Sequence, residues 1–557
     1  MYTRSSLKDL IAKSLNGLGI SVDAEKIPLE HPADLKNGDY SSGIAMQYAK
    51  EAKVAPHALA EKVVATLGVI EGVAKVEVAG AGFINFYLAP SILAGAVDKA
   101  RTEDRWGRSA LNEGKKIMVE YTDPNPFKEF HIGHLMSNAI GESIARLLEF
   151  SGAEVKRANY QGDVGPHVAK AIFAKMRSPG IPWGVAYKMG NDLYDAFKTE
   201  IDDINKKIYE RNREIFPLYE AGRNETLAEF ELIYKKLGME ERKQSGDERF
   251  FDYYFYESIT APRGIALVRS HPQVFKESEG AIVYHGEDDG LHTRVFLTSK
   301  DLPTYETKEL GLAELKAETW KFDTSITITA HEQSDYFEVV LAAMKKVLPE
   351  VAQKIRHISH GMMRFAEGKM SSRVGNVVTA LGLLQELFDV AKDRAKESRA
   401  DDHEKLAHDI ALAAVKYQIL KQASGKDIIF DRERALSLEG DSGPYLQYAH
   451  ARAHAVVEKA REQNVAAKVD AETEPIELSR LLHRFPEAVE YAARELEPHL
   501  LTNYLLEFAS AFNRWYANEQ ILDGSTGAPH KVALTDAACR TLKNGLWLLG
   551  IPAPEKM

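Results

Sequence analysis

Strand-like and helical runs alternate between residues 115 and 360, and this alternation limits the possible folds more than any other feature of the chain. Helical period marks the stretches 304–317 and 334–348. Apolar runs typical of strands occur at KKIMVEYT (115–122), EVKRANY (154–160), TRVFLTS (293–299), TSITITA (324–330) and KIRHISH (354–360). Strands separated by helices form a parallel sheet with crossover helices. The pattern therefore predicts a Rossmann-like α/β domain, whose ligands bind beyond the carboxyl ends of the strands.

Three other regions differ in pattern from this core. Residues 1–110 combine helices with two strands around a Gly turn, and they predict a small α+β domain. Residues 180–290 are rich in charged and aromatic side chains and predict a mainly helical insertion. Nearly every segment of 396–557 has helical period. We therefore predict a small α+β domain over 1–110, an α/β domain over 111–395 with its insertion, and an all-α helical bundle over 396–557.

Length and composition restrict the class of protein. A chain of 557 residues with 45% apolar and 27% charged residues is typical of a folded protein with several domains. Its single cysteine, Cys539, excludes a disulfide framework and a cysteine-rich zinc site, and we expect it to be a small buried residue. The net charge of −11 argues against broad non-specific binding of nucleic acid, but it leaves room for local basic and aromatic patches that bind RNA.

The localisation follows from two absences in the sequence. No apolar run approaches the roughly 20 residues that a membrane span requires. The segment MYTRSSLKDLIAKSL has the pattern of an amphipathic helix and lacks the apolar centre of a signal peptide. Both observations predict a cytoplasmic protein without membrane association.

A pair of histidines opens the helix that follows the first predicted strand, within DPNPFKEFHIGHLMSN (123–138). His131 and His134 lie three residues apart on the first helical turn, and this spacing puts both rings on one face. Backbone N–H groups at a helix start are unpaired, and the helix dipole there favours negative charge. The motif therefore predicts a binding site for a phosphate chain. The alternative is that one histidine caps the helix and the other is an ordinary surface residue.

A second basic motif, FAEGKMSSRVGNVVT (365–379), follows the last predicted strand. It carries Lys369, Ser371, Ser372 and Arg373 in a loop flanked by glycines. Cations and hydroxyls on such a loop suit a polyanion whose charge grows during a reaction. Taken alone, the motif also fits a solvated basic turn. Its occurrence in one α/β domain with the histidine motif is far more specific than either motif by itself.

With these two motifs the chain resembles the class I aminoacyl-tRNA synthetases, and within them the arginyl-tRNA synthetases. The segments similar to the family's catalytic core are VEYTDPNPFKEFHIGHL, RANYQGDVG, RVFLTSKDLPTYETKELG and EGKMSSRVGNVV. NGDYSSGIAMQYAK and GAGFINFYL are similar to its N-terminal domain, and GDSGPYLQYAHAR and LEFASAFNRWY to its anticodon-binding domain. The segment WLLGIPAPEKM is similar as well. The resemblance thus extends over nearly the whole chain.

This resemblance implies an enzyme that activates L-arginine with ATP and Mg²⁺ and then transfers the arginyl group to the 3′-terminal ribose of tRNA(Arg). It implies that the residues acting in catalysis are Lys128, His131, His134 and Lys369. It further implies that the residues binding ATP are His131, Gly133, His134, Lys128, Met370, Ser371, Ser372 and Arg373. Mg²⁺ would arrive bound to ATP, so no metal site made of protein ligands is expected.

Lys128 is singled out by a reciprocal pattern. The class's signature loop usually carries a second lysine where this chain has Ser372. Arginyl enzymes commonly hold a lysine just upstream of the histidine motif instead, where Lys128 stands. A cation for the triphosphate would therefore come from a different loop. Taken alone, Lys128 also fits a solvated loop lysine.

The resemblance also implies a pocket for arginine, lined by Glu120, Asn125, Tyr305, Glu309 and Gln333. A guanidinium is a planar fork of five donors and requires matching acceptors. Tyr305 and Glu309 are four apart, hence on one helix face. Many relatives have Asp where Glu309 stands, so this carboxylate reaches one methylene further. The alternative for Glu309 is a surface ion pair with Lys308 or Lys300.

Contacts with tRNA are expected in two regions. Aromatic and cationic residues at helical spacing suit stacking on unpaired anticodon bases, and those of the predicted bundle are Tyr445, Gln447, Tyr448 and Arg452. The alternative for this stripe is core packing. By the same resemblance, Asn85 and Phe86 in the N-terminal domain would contact the tRNA elbow.

Two other functions compete with this interpretation. A small-molecule nucleotidylyltransferase also uses an HxGH turn to bind ATP, but it needs neither the insertion nor the helical domain. A non-catalytic RNA-binding paralogue would keep the helical domain and lose the site residues, which are all present in this sequence. A monomer is expected, because the sequence has no heptad run and no apolar stretch left unassigned.

Overall fold

The computed structural model describes residues 4–240, 242–244, 247–366, 373–374 and 377–557, with the backbone alone for 242–244, 247–248, 373–374 and 377. The chain forms two compact units. One contains Met1–Gly107, Arg452–Glu487 and Glu507–Leu542, and the other contains Arg108–Ala451, Ala488–Leu506 and Lys543–Met557. The domain bounds 1–110, 111–395 and 396–557 stay a prediction.

The N-terminal region is the α+β arrangement expected from the sequence. Its elements are α1 (Arg4–Gly17), β1 (Tyr40–Ser42), α2 (Ile44–Ala52), α3 (Pro56–Leu67), β2 (Val73–Ala79), β3 (Phe83–Leu88) and α4 (Pro90–Thr102). Pro56 starts α3, because a missing N–H is tolerated at the first position of a helix. The three strands form an antiparallel sheet in the order β1-β3-β2. Buried residues of α1, among them Leu7, Ile11 and Leu15, share a core with Phe86 of β3.

The α/β region begins at residue 116. Its first half comprises β4 (Lys116–Glu120), α5 (Ile132–Phe150), β5 (Glu154–Gln161), α6 (Pro166–Arg177), α7 (Trp183–Asp192), α8 (Lys198–Tyr209), α9 (Phe216–Lys236), β6 (Arg242–Gln244), β7 (Asp247–Arg249), β8 (Tyr253–Tyr256) and α10 (Glu257–Ser270). Its second half comprises β9 (Phe275–Ser278), β10 (Ala281–Tyr284), β11 (Arg294–Leu297), α11 (Tyr305–Thr319), β12 (Thr324–Ala330), α12 (Ser334–Val347), α13 (Pro349–Ala352), β13 (Ile355–His360), β14 (Met363–Phe365), β15 (Arg373–Val374) and β16 (Val377–Val378).

Helices dominate the rest of the chain, as the sequence predicted. The elements there are α14 (Ala380–Ala395), α15 (His403–Leu420), β17 (Ile428–Phe430), α16 (Arg432–Ala435), α17 (Gly443–Glu462), α18 (Glu477–Glu495), α19 (Pro498–Asn518) and α20 (Ala528–Leu548). Together with the α+β N-terminal region and the parallel sheet described next, this confirms the predicted fold class. Among the residues that the structure describes, no helix combines the length and apolar character needed to cross a bilayer.

The central sheet has five parallel strands in the order β13-β12-β4-β5-β8. From β4 the chain continues to β5, which pairs with one side of β4, and β12 pairs with its other side. The strand order therefore reverses next to β4, and the carboxyl ends of β4 and β12 border the crevice where open α/β sheets bind their ligands.

Two details of the sequence-based interpretation were wrong. The run TRVFLTS forms β11, which belongs to a separate antiparallel sheet with β10 and β9 and not to the parallel sheet. The fifth strand of the parallel sheet is β8, from a segment assigned to the helical insertion. Within residues 180–290 the structure has the helices α7 to α10 and also the strands β6 to β10. Local pattern identifies a strand, but strand partners depend on the three-dimensional arrangement.

A buried ionic network fixes α5 to the sheet. Arg146 Nε and Arg157 Nε lie 2.7 Å and 2.8 Å from the carboxylate oxygens of Glu142, and the Tyr121 hydroxyl donates to the same carboxylate. Burial alone would raise the pKa of Glu142, but Arg157 and Arg146 hold it below its ordinary value. Because one partner left alone would be an uncompensated buried charge, the network specifies how α5 sits on β5.

Candidate active site

The loop between β4 and α5 is strained and points to the carboxyl edge of the sheet. Thr122, Asp123 and Phe127 adopt positive φ angles of 80°, 44° and 69°. Such backbone costs about 1–3 kcal/mol per non-glycine residue and persists only where the surroundings enforce it. The Thr122 N–H donates to Ser137 Oγ (2.9 Å), and the Tyr160 N–H donates to Asp123 Oδ1 (2.7 Å). Strain held this firmly at the crevice is typical of a functional loop.

The two histidines cap α5 reciprocally. His131 is the N-cap, and its Nδ1 accepts a hydrogen bond from the Gly133 N–H (3.1 Å). His134 Nδ1 accepts from the His131 N–H (3.2 Å), and the two rings stack with centroids 3.7 Å apart. An Nδ1 that accepts must be unprotonated, so the hydrogen of each neutral ring resides on Nε2. Both histidines therefore cap the helix, and each keeps an Nε2–H donor.

The histidines are neutral at pH 7. Burial, with a smaller contribution from the Lys128 charge, lowers the pKa of His131 to about 4. Burial also holds the pKa of His134 well below its ordinary value, and the neighbouring His131 and Lys128 act in the same direction. The pair can therefore offer hydrogen-bond donors to a phosphate but no charge.

Lys128 supplies positive charge beside this turn. It is half-buried, and its Nζ lies 5.0 Å from the ring centroid of Tyr187 in α7. Burial lowers the pKa of Lys128, while Glu257 raises it. Its charge contributes to the lowering of the pKa values of both histidines. A half-buried lysine against a tyrosine ring does not fit the alternative of a solvated loop lysine.

A cavity of about 520 Å³ adjoins the histidine turn. Its lining comes from the start of α5, the end of β12 and the residues that follow β13, and includes His131, Gly133, Met136, Ala330, His360, Met362 and Met363. The sequence analysis missed His360, Met362 and Met363. The rule that ligands bind beyond strand ends, applied to KIRHISH, would have identified them.

The signature motif lies mostly outside the described residues. This holds for Lys369, Met370, Ser371 and Ser372 and for the side chain of Arg373. The backbone of β15 pairs with β16, and the next residue, Thr379, forms an isolated antiparallel bridge with His131. The Ala380 N–H also donates to the Phe130 carbonyl (3.0 Å). The chain that follows the motif is therefore attached directly to the histidine turn.

Three carboxylates and one lysine lie together next to the strained loop. Glu120, 1% exposed, forms an ion pair with Lys316 (Nζ–Oε2 2.7 Å). Burial and then Glu120 raise the pKa of Glu309 to about 8, and the same two causes hold the pKa of Asp123 well above its ordinary value. Among the described residues no cation lies within ion-pair distance of Glu309. The cluster thus has an excess of acidic groups, one buried and two half-buried, that one additional cation would offset.

The alternative role for Glu309, a surface ion pair with Lys308 or Lys300, is wrong. Lys308 pairs with Glu257 (2.5 Å), and Lys300 pairs with Asp202 (3.2 Å). Glu257 is the first residue of α10 and directly follows β8. Lys316 and Glu257 were both missed by the sequence analysis, because their partners come from other elements of the fold.

The remaining members of the predicted arginine pocket lie at the same edge of the sheet. Asn125 Oδ1 accepts from the Gly162 N–H (3.1 Å), and a Cβ on Gly162 would stand 2.2 Å from that oxygen. Tyr305 begins α11, is 54% exposed, and has its ring centroid 4.9 Å from Lys308 Nζ. Gln333 is exposed in the turn after β12. Their roles in binding arginine stay a prediction.

Two of the predicted tRNA contacts do not fit the structure. Phe86 is fully buried in the N-terminal core, and a ring without exposed surface cannot stack on a base. Gln447 is also fully buried, and its Nε2 donates to the carbonyls of Asp409 (3.1 Å) and Pro552 (2.9 Å). Asn85 is 3% exposed, with its Oδ1 accepting from Ser41 Oγ (2.7 Å), which leaves little of it for a partner.

The other candidates for tRNA contact retain exposed surface. Tyr445, Tyr448 and Arg452 are half-buried. Arg452 Nη1 donates to Asn513 Oδ1 (2.5 Å), and its guanidinium lies 4.8 Å from the ring centroid of Tyr516. In β3, Phe83 is 44% exposed on the face opposite Phe86. Their contact with tRNA stays a prediction.

Comparisons with known proteins agree over the whole chain. The family model for the catalytic domain of the class I tRNA synthetases for arginine (R) matches residues 96–432. The arginyl tRNA synthetase N terminal domain matches residues 5–88, and the DALR anticodon binding domain matches residues 446–557.

Individual relatives agree with these matches. Arginine–tRNA ligase of Clostridium perfringens is 30% identical over 99% of this chain and 100% of its own, and that of Treponema denticola is 30% identical over 100% and 99%. Arginyl-tRNA synthetase of Thermus thermophilus has a similar structure, with a TM-score of 0.82, 27% identity and 100% of both chains covered. This chain therefore belongs to the arginyl-tRNA synthetases of class I.

Proposed function

We propose that this chain is an arginine–tRNA ligase acting in two steps. The carboxylate of L-arginine attacks the α-phosphorus of ATP, and pyrophosphate leaves as arginyl-adenylate forms. The 2′-hydroxyl of the terminal ribose of tRNA(Arg) then attacks the arginyl carbonyl, and AMP leaves. The observation that carries the proposal is the cluster of Glu120, Asp123 and Glu309 together with the histidine turn. The carboxylates would bind a cationic side chain, and the histidines offer hydrogen-bond donors to a polyphosphate.

Arginine is selected chiefly by Glu309. Lys316 already neutralises Glu120, so Glu309 is the carboxylate that remains for the guanidinium. Tyr305 presents its ring and hydroxyl on the same face of α11, and Asn125 and Gln333 face the crevice from neighbouring strand ends. A planar fork of donors satisfies such acceptors together, whereas the ammonium of lysine or ornithine is a point charge that leaves some of them unpaired.

ATP is held by the histidine turn and its surroundings. The Nε2–H groups of His131 and His134 donate to the phosphates, and Lys128 offsets the charge that grows on the departing pyrophosphate. Lys369 and Arg373 approach the phosphates from the signature motif. The 520 Å³ cavity next to the turn receives the adenosine. Mg²⁺ comes bound to ATP, which suits the reluctance of this ion to shed its waters.

The tRNA is bound through exposed side chains on two parts of the chain. Tyr445, Tyr448 and Arg452 of α17 contact the anticodon loop, where aromatic rings can stack on unpaired bases. Exposed Phe83 is better placed than Phe86 to meet the elbow. The same proposal describes a cytoplasmic protein that acts as a monomer.

Pyrophosphate exchange tests the proposal. The purified protein is incubated with ATP, labelled pyrophosphate and each amino acid in turn, with and without tRNA(Arg). Exchange with arginine alone among the amino acids is expected. Exchange without any amino acid, but with another carboxylate or phosphate substrate, would indicate a nucleotidylyltransferase. Absence of exchange under all conditions, together with tRNA binding, would indicate a non-catalytic RNA-binding protein.

A further inference from the structure

Residues 547–554 accept a series of hydrogen bonds that the proposed function does not use. Five carbonyl oxygens of this segment each receive a side-chain donor from another element: Trp547 O from Arg146 Nη1 (2.9 Å), Leu548 O from Ser143 Oγ (2.9 Å), Gly550 O from Lys416 Nζ (2.7 Å), Pro552 O from Gln447 Nε2 (2.9 Å) and Pro554 O from His450 Nδ1 (2.9 Å). The donors lie on α5, α15 and α17.

All five donors are buried. The exposed fractions are 3% or less for Ser143, Arg146, Lys416, Gln447 and His450. A buried donor that loses its acceptor pays its full desolvation penalty, about 1–3 kcal/mol for a neutral group and more for a charged one. Pro552 and Pro554 lack an N–H, so these positions act as acceptors only. The segment therefore accepts hydrogen bonds from buried side-chain donors that would otherwise lose an acceptor.

Lys416 depends most on this segment. Its Nζ has Gly550 O as its only hydrogen-bond acceptor among the described residues. Arg146 and Glu142 of α5 lie near enough to affect its pKa, which burial lowers to about 7. Gly550 has a φ of +64°, and a Cβ there would stand 2.9 Å from Lys416 Nζ. The backbone conformation therefore favours glycine at this position, and a Cβ would also crowd the Lys416 ammonium.

We propose that residues 547–554 tie α5 to α15 and α17, and so position the histidines at the start of α5. The α5 helix runs from the histidine turn at Ile132 to Phe150. Ser143 and Arg146 near its far end are held through Leu548 and Trp547, while the following residues of the segment are held by α15 and α17. The residues of α5 from His134 to Leu148 are all buried, and a close-packed interior transmits strain, so loosening this end shifts the other. The proposal rests on the proposed function and adds positioning residues to it.

The test compares Gly550→Ala, Lys416→Met and Ser143→Ala with Lys556→Ala as the control. Lys556 lies just beyond this segment and forms an exposed ion pair with Asp401 (2.8 Å). Pyrophosphate exchange with arginine and saturating tRNA(Arg) gives kcat and the KM values for arginine and ATP. Thermal unfolding, followed by circular dichroism, shows that each variant is folded under the assay conditions.

A displaced histidine turn lowers kcat, because its contacts act on the transition state, while the arginine pocket of β4 and α11 is unaffected. The expected result is a fall in kcat of about tenfold or more for Gly550→Ala and Lys416→Met with an arginine KM within about twofold of wild type. Ser143→Ala, the smallest change, is expected to lower kcat by about threefold, and it decides the matter if the larger changes do not fold.

Three outcomes would overturn the tie. They are folded variants with wild-type kcat, an equal loss in Lys556→Ala, and a loss confined to the arginine KM. A wild-type protein that fails to exchange pyrophosphate with arginine would contradict the proposed function itself, whereas an active wild type with unaffected variants would contradict only the tie.

Discussion

At the scale of single residues, Lys128 is the cation that we expect to replace the lysine absent at Ser372. Its half-buried position beside the histidine turn preorganises the charge for the phosphates. Loss of such a group costs about 3 kcal/mol, so Lys128→Ala should lower arginine activation by about 10²-fold. Steady-state pyrophosphate exchange measures this. Lys170→Ala is the matched control, because Lys170 lies nearby but donates to Asn191 (2.9 Å) at an exposed site.

Two outcomes decide the role of Lys128. Ser372→Lys, introduced into Lys128→Ala, should restore part of the activity by supplying the charge from the signature motif. Activation within about twofold of wild type in Lys128→Ala would show that the phosphates do not depend on this lysine.

Glu309 should determine the affinity for arginine. Glu309→Gln keeps the shape and removes the charge, and a buried donor left without its acceptor costs about 1–3 kcal/mol, so the arginine KM should rise about 10- to 100-fold. The ATP KM should stay nearly unchanged, since the phosphates lie at the histidine turn. Kinetics against both substrates, with lysine and ornithine as competitors, measure this. An unchanged arginine KM would mean that the pocket lies elsewhere.

The raised pKa of Glu309 predicts that the binding of arginine depends on pH. Burial and Glu120 raise the pKa of Glu309 to about 8, so at neutral pH the empty site holds a proton there that arginine must expel. Binding of the permanently charged guanidinium is therefore weaker at low pH, and the arginine KM should fall as the pH rises from about 6.5 to 8.5, by up to about tenfold per pH unit below the pKa. The profile of Glu309→Gln should be flat over this window. Parallel profiles in both proteins would contradict the assignment.

The sequence predicted those residues whose surroundings are local. The histidine pair could be placed on a helix start because the capping residues, the Pro-Asn-Pro stretch and the helical period are neighbours in the chain. Lys316 and Glu257 could not be found, because each contributes through a partner on another element. Phe86 was misassigned although strand alternation contained the signal: residues 84, 86 and 88 of β3 face the core, and Phe83 does not.

At the scale of elements, α10 and α11 approach each other through glycines. A Cβ on Gly311 would stand 2.1 Å from the Thr260 carbonyl, and one on Gly264 would stand 1.8 Å from the Thr307 carbonyl. These helices carry Glu257 and Glu309. Gly311→Ala should force them apart, cost about 1–3 kcal/mol of stability and raise the arginine KM.

The control for this change is Gly95→Ala in α4, where a Cβ would meet nothing within 4 Å. It should leave stability unchanged or raise it by about 0.5–1 kcal/mol, because alanine favours a helix. Thermal unfolding and arginine kinetics of the two variants provide the comparison. Equal unfolding temperatures for Gly311→Ala and wild type would show that the helices have room to separate.

Element type was easier to predict than element partner. The strands at 154–160, 324–330 and 354–360 and the helices at 304–317 and 334–348 follow from period alone. The run TRVFLTS has the same strand pattern, yet it pairs in an antiparallel sheet. The segment YYFY in β8 lies in a charged, aromatic stretch whose composition hid a strand of the central sheet. Pairing is decided by where helices and loops deliver each strand.

At the scale of the whole molecule, the chain pattern and the contacts divide the protein differently. The sequence shows three compositional regions. The contacts show two compact units, and residues 452–487 and 507–542 belong to the unit that contains the N-terminal region. Helical period reveals that a segment is a helix but not which core its apolar face joins. Domain bounds predicted from composition therefore show where the sequence pattern changes, and not which residues share a core.

Activation of arginine is expected to depend on bound tRNA(Arg). The signature motif lacks its second lysine at Ser372, and the chain after it meets the histidine turn at Thr379 and Ala380. Bound tRNA would then help to bring Lys369 and Arg373 onto the phosphates. Pyrophosphate exchange should fall by about 10²-fold or more when tRNA is omitted. A tRNA(Arg) with an oxidised 3′ ribose, which cannot accept arginine, should still restore exchange, whereas a tRNA for another amino acid should not. Robust exchange in tRNA-free protein would show that the site assembles without it.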